Sequence, residues 1–224
     1  MDFSIITPEI FAYLIRGAGM SLLIAAIATA MGLILGTLGA AAKLSRSKFL
    51  NALASVYVEV FRGTPMIMQI TFAFLALPAL VTLILGRPIR FNPLITGIAA
   101  ISINSGAYTT ELIRSGINGV DKGQFEAADT LGLTYRQKMR LVILPQAFKQ
   151  ILPPLVSEFI TLIKDSSLLS TIGVVELMKS ATTVGANYYA YLPPLTVASG
   201  IYLVMTLVIS AISKMIERRL AVSD

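Results

Sequence analysis

Glu126-Ala-Ala-Asp-Thr-Leu-Gly132-Leu-Thr-Tyr-Arg-Gln-Lys-Met-Arg-Leu-Val-Ile-Leu144-Pro145 is a polar island between two long apolar blocks. Its spacing predicts a short helix over 126–130, with Glu126 near the start, where the helix dipole favours an acid. Gly132 is a helix stop, because it can adopt the left-handed conformation at a helix C-cap. A second short helix is expected from Tyr135 to Leu144, with Pro145 restricting Leu144 and marking the next boundary. Arg136, Lys138 and Arg140 fall within this second piece. Helix, glycine turn, helix, with no Ser/His/Asp set and no metal-ligand set, is the shape of a docking surface rather than of a catalytic site.

The chain around that island is greasy. Of its 224 residues 55% are hydrophobic and 13% charged, against roughly a quarter charged in soluble domains. Several apolar runs reach the about 20 residues of helix that a bilayer requires. The expected class is therefore an all-α integral membrane protein, a single domain over 1–224 with spans near 11–42, 50–85, 94–117, 148–169 and 192–216. Cysteine and histidine are absent, which excludes disulfides, thiol nucleophiles and zinc sites built from those ligands. The net charge of +6 fits cytoplasmic loops facing anionic lipid. The acidic start, Met1 to Glu9, followed by a long apolar block is not the pattern of a cleavable signal.

Along the chain, Pro8 is placed to open the first helix. Gly32 and Gly36 form a small-xxx-small pair that allows close helix approach in lipid, or are incidental membrane-helix glycines. In the second block Gly63 and Pro65 predict a kink or break, tolerable only where protein or water covers the freed carbonyls. Arg62 lies beside it, paired to Glu59, snorkelling, or acting in transport, and Gln69 follows one turn on. In the third span Asn104, Tyr108 and Glu111 recur at i, i+4 and i+7, a polar face that tends to point into a bundle or a water-filled path. Asn104 and Tyr108 are the candidates for such a path, whereas Glu111 is expected to pair with Arg114 or another basic residue. In the fourth span Glu158 and Asp165 share a face, with Thr161 between them. Two acids on one face of a membrane helix make it the second functional signal. Lys164 points about 100° away from Asp165 on a helix, and Glu158 has no basic residue on its own face. Residues 170–190 read as a short external helix and loop.

Charge sets the orientation. Twelve of the eighteen basic residues, Lys43, Arg46, Lys48, Arg114, Lys122, Arg136, Lys138, Arg140, Lys149, Lys214, Arg218 and Arg219, fall on one side of a five-span arrangement, and four, Arg16, Arg87, Arg90 and Lys179, on the other. The positive-inside rule makes the first side cytoplasmic, with the N-terminus outside and the C-terminus inside.

Glu126-Ala127-Ala128, Gly132, Val142 and Leu144-Pro145 resemble the "EAA loop" of ABC importer permeases, with Val142 where isoleucine is more usual. Arg62-Gly63-Thr64-Pro65 with Gln69, Gly106-Ala107-Tyr108 with Glu111 and Arg114, and Lys164-Asp165-Ser166-Ser167-Leu168 resemble the polar amino acid subgroup of that family. The resemblance implies a type I importer-like permease in a prokaryotic plasma (inner) membrane, with a cytoplasmic coupling loop over 118–147. It also implies an ABC ATPase dimer that binds ATP and magnesium, a second permease copy or paralogue, and an extracytoplasmic substrate-binding protein. Glu126, Ala127, Ala128, Gly132, Leu144 and Pro145 would then couple to the ATPase. Glu158, Asp165, Asn104, Tyr108, Thr161 and Gln69 are the candidates for contact with an amino acid. The surplus of acid suggests a cationic one such as arginine, lysine or histidine. No G-x-x-x-x-G-K-[ST] loop is present, so this chain is expected to be neither an enzyme nor a holder of a cofactor or metal. The alternative is an ion-coupled secondary transporter with Glu158 and Asp165 as proton or sodium sites; it leaves the docking pattern unexplained. A membrane-bound enzyme would need more than two in-span acids.

Overall fold

The computed structural model describes residues 3–221, with side chains up to Ile216 in the last helix. Arg218 and Arg219 of the charge balance therefore lie outside the described side chains. Among the described residues every regular element is helical. Helix α1 (Pro8–Lys43) starts where Thr7 accepts a hydrogen bond from the Ile10 amide at 3.3 Å and Pro8 supplies a preset φ. Helix α2 (Lys48–Gly63) is capped by Ser47, and after Thr64-Pro65 the chain re-enters a helix as α3 (Met66–Leu85). The expected break is thus complete, since Thr64 and Pro65 are both extended. Helix α4 (Pro93–Asn118) is capped by Asn92.

Helix α5 (Lys122–Thr130) begins four residues before the predicted start, because Asp121 caps it by accepting from the Gly123 amide at 2.7 Å. Glu126 consequently lies mid-helix and exposed. Gly132, at φ +69, makes the turn that was expected of it. Helix α6 (Tyr135–Lys138) opens on a reciprocal capping box between Thr134 and Gln137. It passes through a wider π turn, Met139–Ile143, directly into α7 (Leu144–Asp165). A 3-10 turn, Ser166–Ile172, then ends at Gly173, α8 (Leu177–Asn187) follows, and α9 (Leu192–Ala221) closes the described chain.

Pro145 is therefore not the boundary expected from the sequence. A proline inside a helix lacks the N–H and collides with the carbonyl four residues back. The π turn relieves this by moving the Leu144 amide onto the Met139 carbonyl, five residues back. The same solution occurs in α3, where Leu77, just before Pro78, donates to the Phe72 carbonyl across a second π turn. Leu144-Pro145 and Leu77-Pro78 are thus each threaded through a helix by one extra residue in the turn before them, whereas Pro153 and Pro154 lie inside α7 without such a turn.

Helix α4 is the axis of the packing. Its buried Ser105, Thr109 and Thr110 pack against α1 at Gly32, Gly36 and Gly39, so the two helices run parallel in close contact. A Cβ on Gly36 would lie 2.5 Å from Thr109 Cβ, which confirms the small-xxx-small pair as a packing device. On another side α7 runs antiparallel to α4, with Ile151 at Gly116 and Glu158 at Ser105, and Leu169 of the 3-10 turn that follows lies at Gly97. The main core joins Ile24 and Ala28 of α1, Ile70 of α3, Ile101 of α4 and Leu162 and Ile163 of α7. Helix α8, in the stretch expected as a short external helix and loop, packs on α1 and α9, with Leu177 and Ala181 against Leu14, Ala18 and Ala198.

Among the described residues three helices are long and apolar enough to cross a membrane: α1, α3 and α9 over Leu192–Ile216. Helices α4 and α7, with 26 and 22 residues, have the length, but their composition is more polar because they form the interior. Ser102, Asn104, Ser105, Thr109 and Thr110 are all buried on α4.

Candidate functional site

The polar island folds as a small platform fixed to the ends of α4 and α7. Ile117 and Val120 after α4, Ile143 in the π turn, and Ala147 and Ile151 of α7 form one buried cluster with Phe125 and Met139 packed on it. Ala128 is buried within α5. Lys138 reaches Asp129 at 2.6 Å and Gln146 donates to Gln124 at 3.0 Å, tying α6 and α7 to α5. Outward, the platform presents apolar groups to solvent: Leu131 is 77% exposed, Tyr135 71% and Leu141 64%. These residues stand at the tip of a charged loop, on a backbone held by its own core.

At its root α4 is tied to α1 by charge. Glu111 accepts from Lys43 at 3.0 Å and from its own-helix neighbour Arg114. The expected pairing of Glu111 is therefore present, with a second cation that the local sequence did not reveal.

The six candidate substrate residues do not form one cluster. Asn104 and Gln69 meet each other, and both serve the break between α2 and α3. The Asn104 amide donates to the Phe61 carbonyl and to Gln69 Oε1, each at 2.9 Å. Gln69 Nε2 in turn reaches the Phe61 carbonyl at 2.9 Å and Thr64 Oγ1 at 2.8 Å. These two amides cover the carbonyls that Pro65 leaves without partners. Tyr108 carries the Arg62 guanidinium over its ring at 5.2 Å, in place of a pairing of Arg62 with Glu59. Glu158 lies against Ser105, the residue after Asn104 and so about 100° further round α4. It is half-buried, as is Asp165, while Thr161 is exposed between them and donates to the Ser157 carbonyl at 3.1 Å.

Sequence reasoning passed over Glu176. Its side chain is fully buried. It accepts from Tyr202 Oη at 2.8 Å, from Ser21 Oγ at 3.3 Å, and from the Met178 and Lys179 amides at 2.9 and 2.7 Å. It thereby caps α8 while joining α1, α8 and α9. The signal available was a glutamate at a helix start; its burial depends on partners 155 and 26 residues away.

Related proteins share this architecture over the whole chain. The arginine transport system permease protein ArtQ of Bacillus subtilis is 39% identical over 224 residues, covering 100% of this chain and 99% of that protein. The glutamine transport system permease protein GlnP of Escherichia coli K12 is 38% identical over 221 residues, covering 99% and 98%. Among solved structures, an amino acid ABC transporter crystallised with histidines superposes with a TM-score of 0.90 at 37% identity, over 98% of this chain and 99% of that one. The methionine transporter MetNI shares the fold, with a TM-score of 0.77 at 19% identity over 96% and 99%. With residues 32–222 matching that family, the chain belongs to the binding-protein-dependent transport system inner membrane components.

Proposed function

We propose that the chain is the membrane subunit of an ATP-driven importer of amino acids. The observation that carries this reading is the platform of 121–144, which exposes apolar residues on a core of its own and is rooted in the two helices that also bear Ser105 and Glu158. In this reading α1, α2 with α3, α4, α7 and α9 traverse the membrane, the platform faces the cytoplasm, and the N-terminus lies outside, as the charge balance favours. Two ATPase subunits carrying ATP and magnesium dock on the platforms of two permease chains, and an extracytoplasmic binding protein delivers substrate. Closure of the ATPase pair moves the platform. Because α6, the π turn and α7 are one continuous helix, the motion reaches Glu158 directly and alternates access to it.

The substrate we propose is a cationic amino acid. An amino acid needs an acidic partner for its ammonium group, and Glu158 and Asp165 supply one acid more than a neutral amino acid uses. The relatives' names include both arginine and glutamine systems, so the charge of Glu158 is what the test addresses. ATP hydrolysis is measured for the chain reconstituted in lipid with its ATPase and binding protein, in the presence of arginine, glutamine or neither. Arginine stimulation that falls about tenfold or more in Glu158→Gln, the scale of a lost charge-assisted bond, supports the reading. Unchanged arginine stimulation in Glu158→Gln would remove Glu158 from the substrate site. Failure of any ATPase to bind would remove the importer assignment itself.

A further inference from the structure

Between α1 and α2 the chain leaves an apolar groove open at its side. Leu38 and Ala42 of α1, Leu50, Leu53 and Tyr57 of α2, and Ile103 of α4 line a volume of about 370 Å³, within the about 300–1,000 Å³ of ligand pockets. Its rims, Leu38 and Leu53, are exposed. Tyr57 brings the one polar side chain among the lining residues, and its hydroxyl is taken up by the Ile103 carbonyl at 2.5 Å. The groove therefore offers no free side-chain hydrogen-bonding group.

Resting on the reading of α1 and α2 as spanning segments joined on the cytoplasmic side, the groove has a defined depth. From Ala42 to Leu35 on α1, and from Leu50 to Tyr57 on α2, it runs seven residues, about 10 Å. One leaflet supplies about half of the roughly 30 Å hydrocarbon core, so the groove lies within the cytoplasmic leaflet.

At its cytoplasmic end the charge is one-sided. Arg46 and Lys48 stand in the turn that closes the groove, between Ala42 and Leu50, and both are exposed. Neither takes part in the ion pairs among the described residues, whereas Lys43 is held by Glu111. The sequence has no acidic residue from 10 to 58 to answer them. A second copy of the chain set against this face by a two-fold axis along the membrane normal would bring these cations against their own counterparts. A soluble partner does not reach a strip inside the bilayer. An apolar chain with an acid at its cytoplasmic end complements both parts.

We propose that this groove binds one acyl chain of an anionic phospholipid of the cytoplasmic leaflet, with the phosphate held by Arg46 and Lys48. Lipid chains are as apolar as leucine, so exchanging one chain for another changes little, and the headgroup charge decides which lipid is held. The bound lipid then braces the α1–α2 turn beside Lys43, which ties α1 to the root of the platform through Glu111.

The test counts lipids retained by the purified full-length chain and its ATPase in detergent, by native mass spectrometry, with phosphatidylglycerol and phosphatidylcholine of the same chains added in equal amounts. The expected result is a preference for phosphatidylglycerol of about tenfold, the scale of two cations at a headgroup. Arg46→Gln with Lys48→Gln is expected to abolish the preference. Arg16→Gln with Arg87→Gln, which removes the same charge from the other side of the membrane, is expected to preserve it. Ala42→Trp and Leu53→Trp fill the groove from its two walls and are expected to lower retention of both lipids severalfold; Leu53 is exposed, so its variant serves where Ala42→Trp does not fold. Equal retention of the two lipids by the parent, a preference that survives in Arg46→Gln with Lys48→Gln or is lost equally in the outer pair, or retention undiminished by Leu53→Trp overturns the proposal. ATPase binding is scored on the same samples. Its absence beside selective lipid retention counts against the importer reading alone, while an ATPase complex without lipid preference counts against this groove alone.

Discussion

Glu176 is bound by four donors from three parts of the chain, and the energetics follow from what its removal would strand. Glu176→Ala leaves two amides of α8 without their side-chain acceptor and the Tyr202 and Ser21 hydroxyls with only each other at 3.5 Å. Hydrogen bonds to a charged group contribute about 1.5–3 kcal/mol and a helix cap about 1 kcal/mol. We expect Glu176→Ala to lower the Tm of the purified protein more than any single change on the exposed platform, and Glu176→Gln to fall between, as thermal unfolding in detergent would record. The buried acid was invisible in the sequence because burial here is set by residues far along the chain. The Gln69–Asn104 bond was hidden for the same reason: each residue read as a path-lining polar group, and only their separation of 35 residues, closed by the fold, shows them covering the helix break. By contrast the pairing of Glu111 with Arg114 is local, three residues apart on one helix, and was legible.

At the level of elements, proline was legible where it opens or breaks a helix and was misread where a helix passes through it. Pro8 opens α1 and Pro65 stands in the break between α2 and α3. Pro145 also read as an end, yet the turn before it widens instead, a rearrangement of hydrogen bonds that no side-chain pattern announces. In Pro145→Ala the restored N–H lets residues 139–143 close as ordinary α-helix, which turns the platform by about 100° relative to α7. Substrate-stimulated ATP hydrolysis is expected to fall steeply in this variant while the Tm changes little, a separation that paired activity and melting measurements would reveal. The α1–α4 contact gives a second test. Gly36 has no room for a side chain, whereas a Cβ on Gly19 meets nothing within 4 Å. Overpacking costs about 1–3 kcal/mol, so Gly36→Val should lower the Tm and Gly19→Val should not; equal behaviour of the two would show that the close approach is not a source of stability.

For the whole molecule, the division of labour follows from which surfaces are buried and which are left apolar. The platform has its own small core, so its outward residues are free to vary without unfolding it. Leu131→Asp combined with Tyr135→Ala should abolish co-purification of the ATPase and leave the Tm of the isolated chain within about 0.5 kcal/mol equivalent of the parent, as surface changes usually do. A matched loss of Tm would mean that these side chains hold the fold and not a partner. The all-helical class and the turn at Gly132 were legible in the sequence because apolar length and glycine punctuation are local signals. The central place of α4 was not, since its polar content is tolerated only after α1 and α7 cover it.

The continuous helix from Tyr135 through the π turn to Asp165 also has a mechanical meaning. Between Tyr135 and Glu158 it measures roughly 34 Å at about 1.5 Å per residue, a single helix carrying Pro153 and Pro154 inside it, with the platform at one end and a carboxylate near the other. Against a fulcrum where Ile151 presses on Gly116, it acts as a lever with arms of unequal length, the longer one on the platform side. A push at the foot is thereby converted into a smaller and more forceful displacement at the carboxylate.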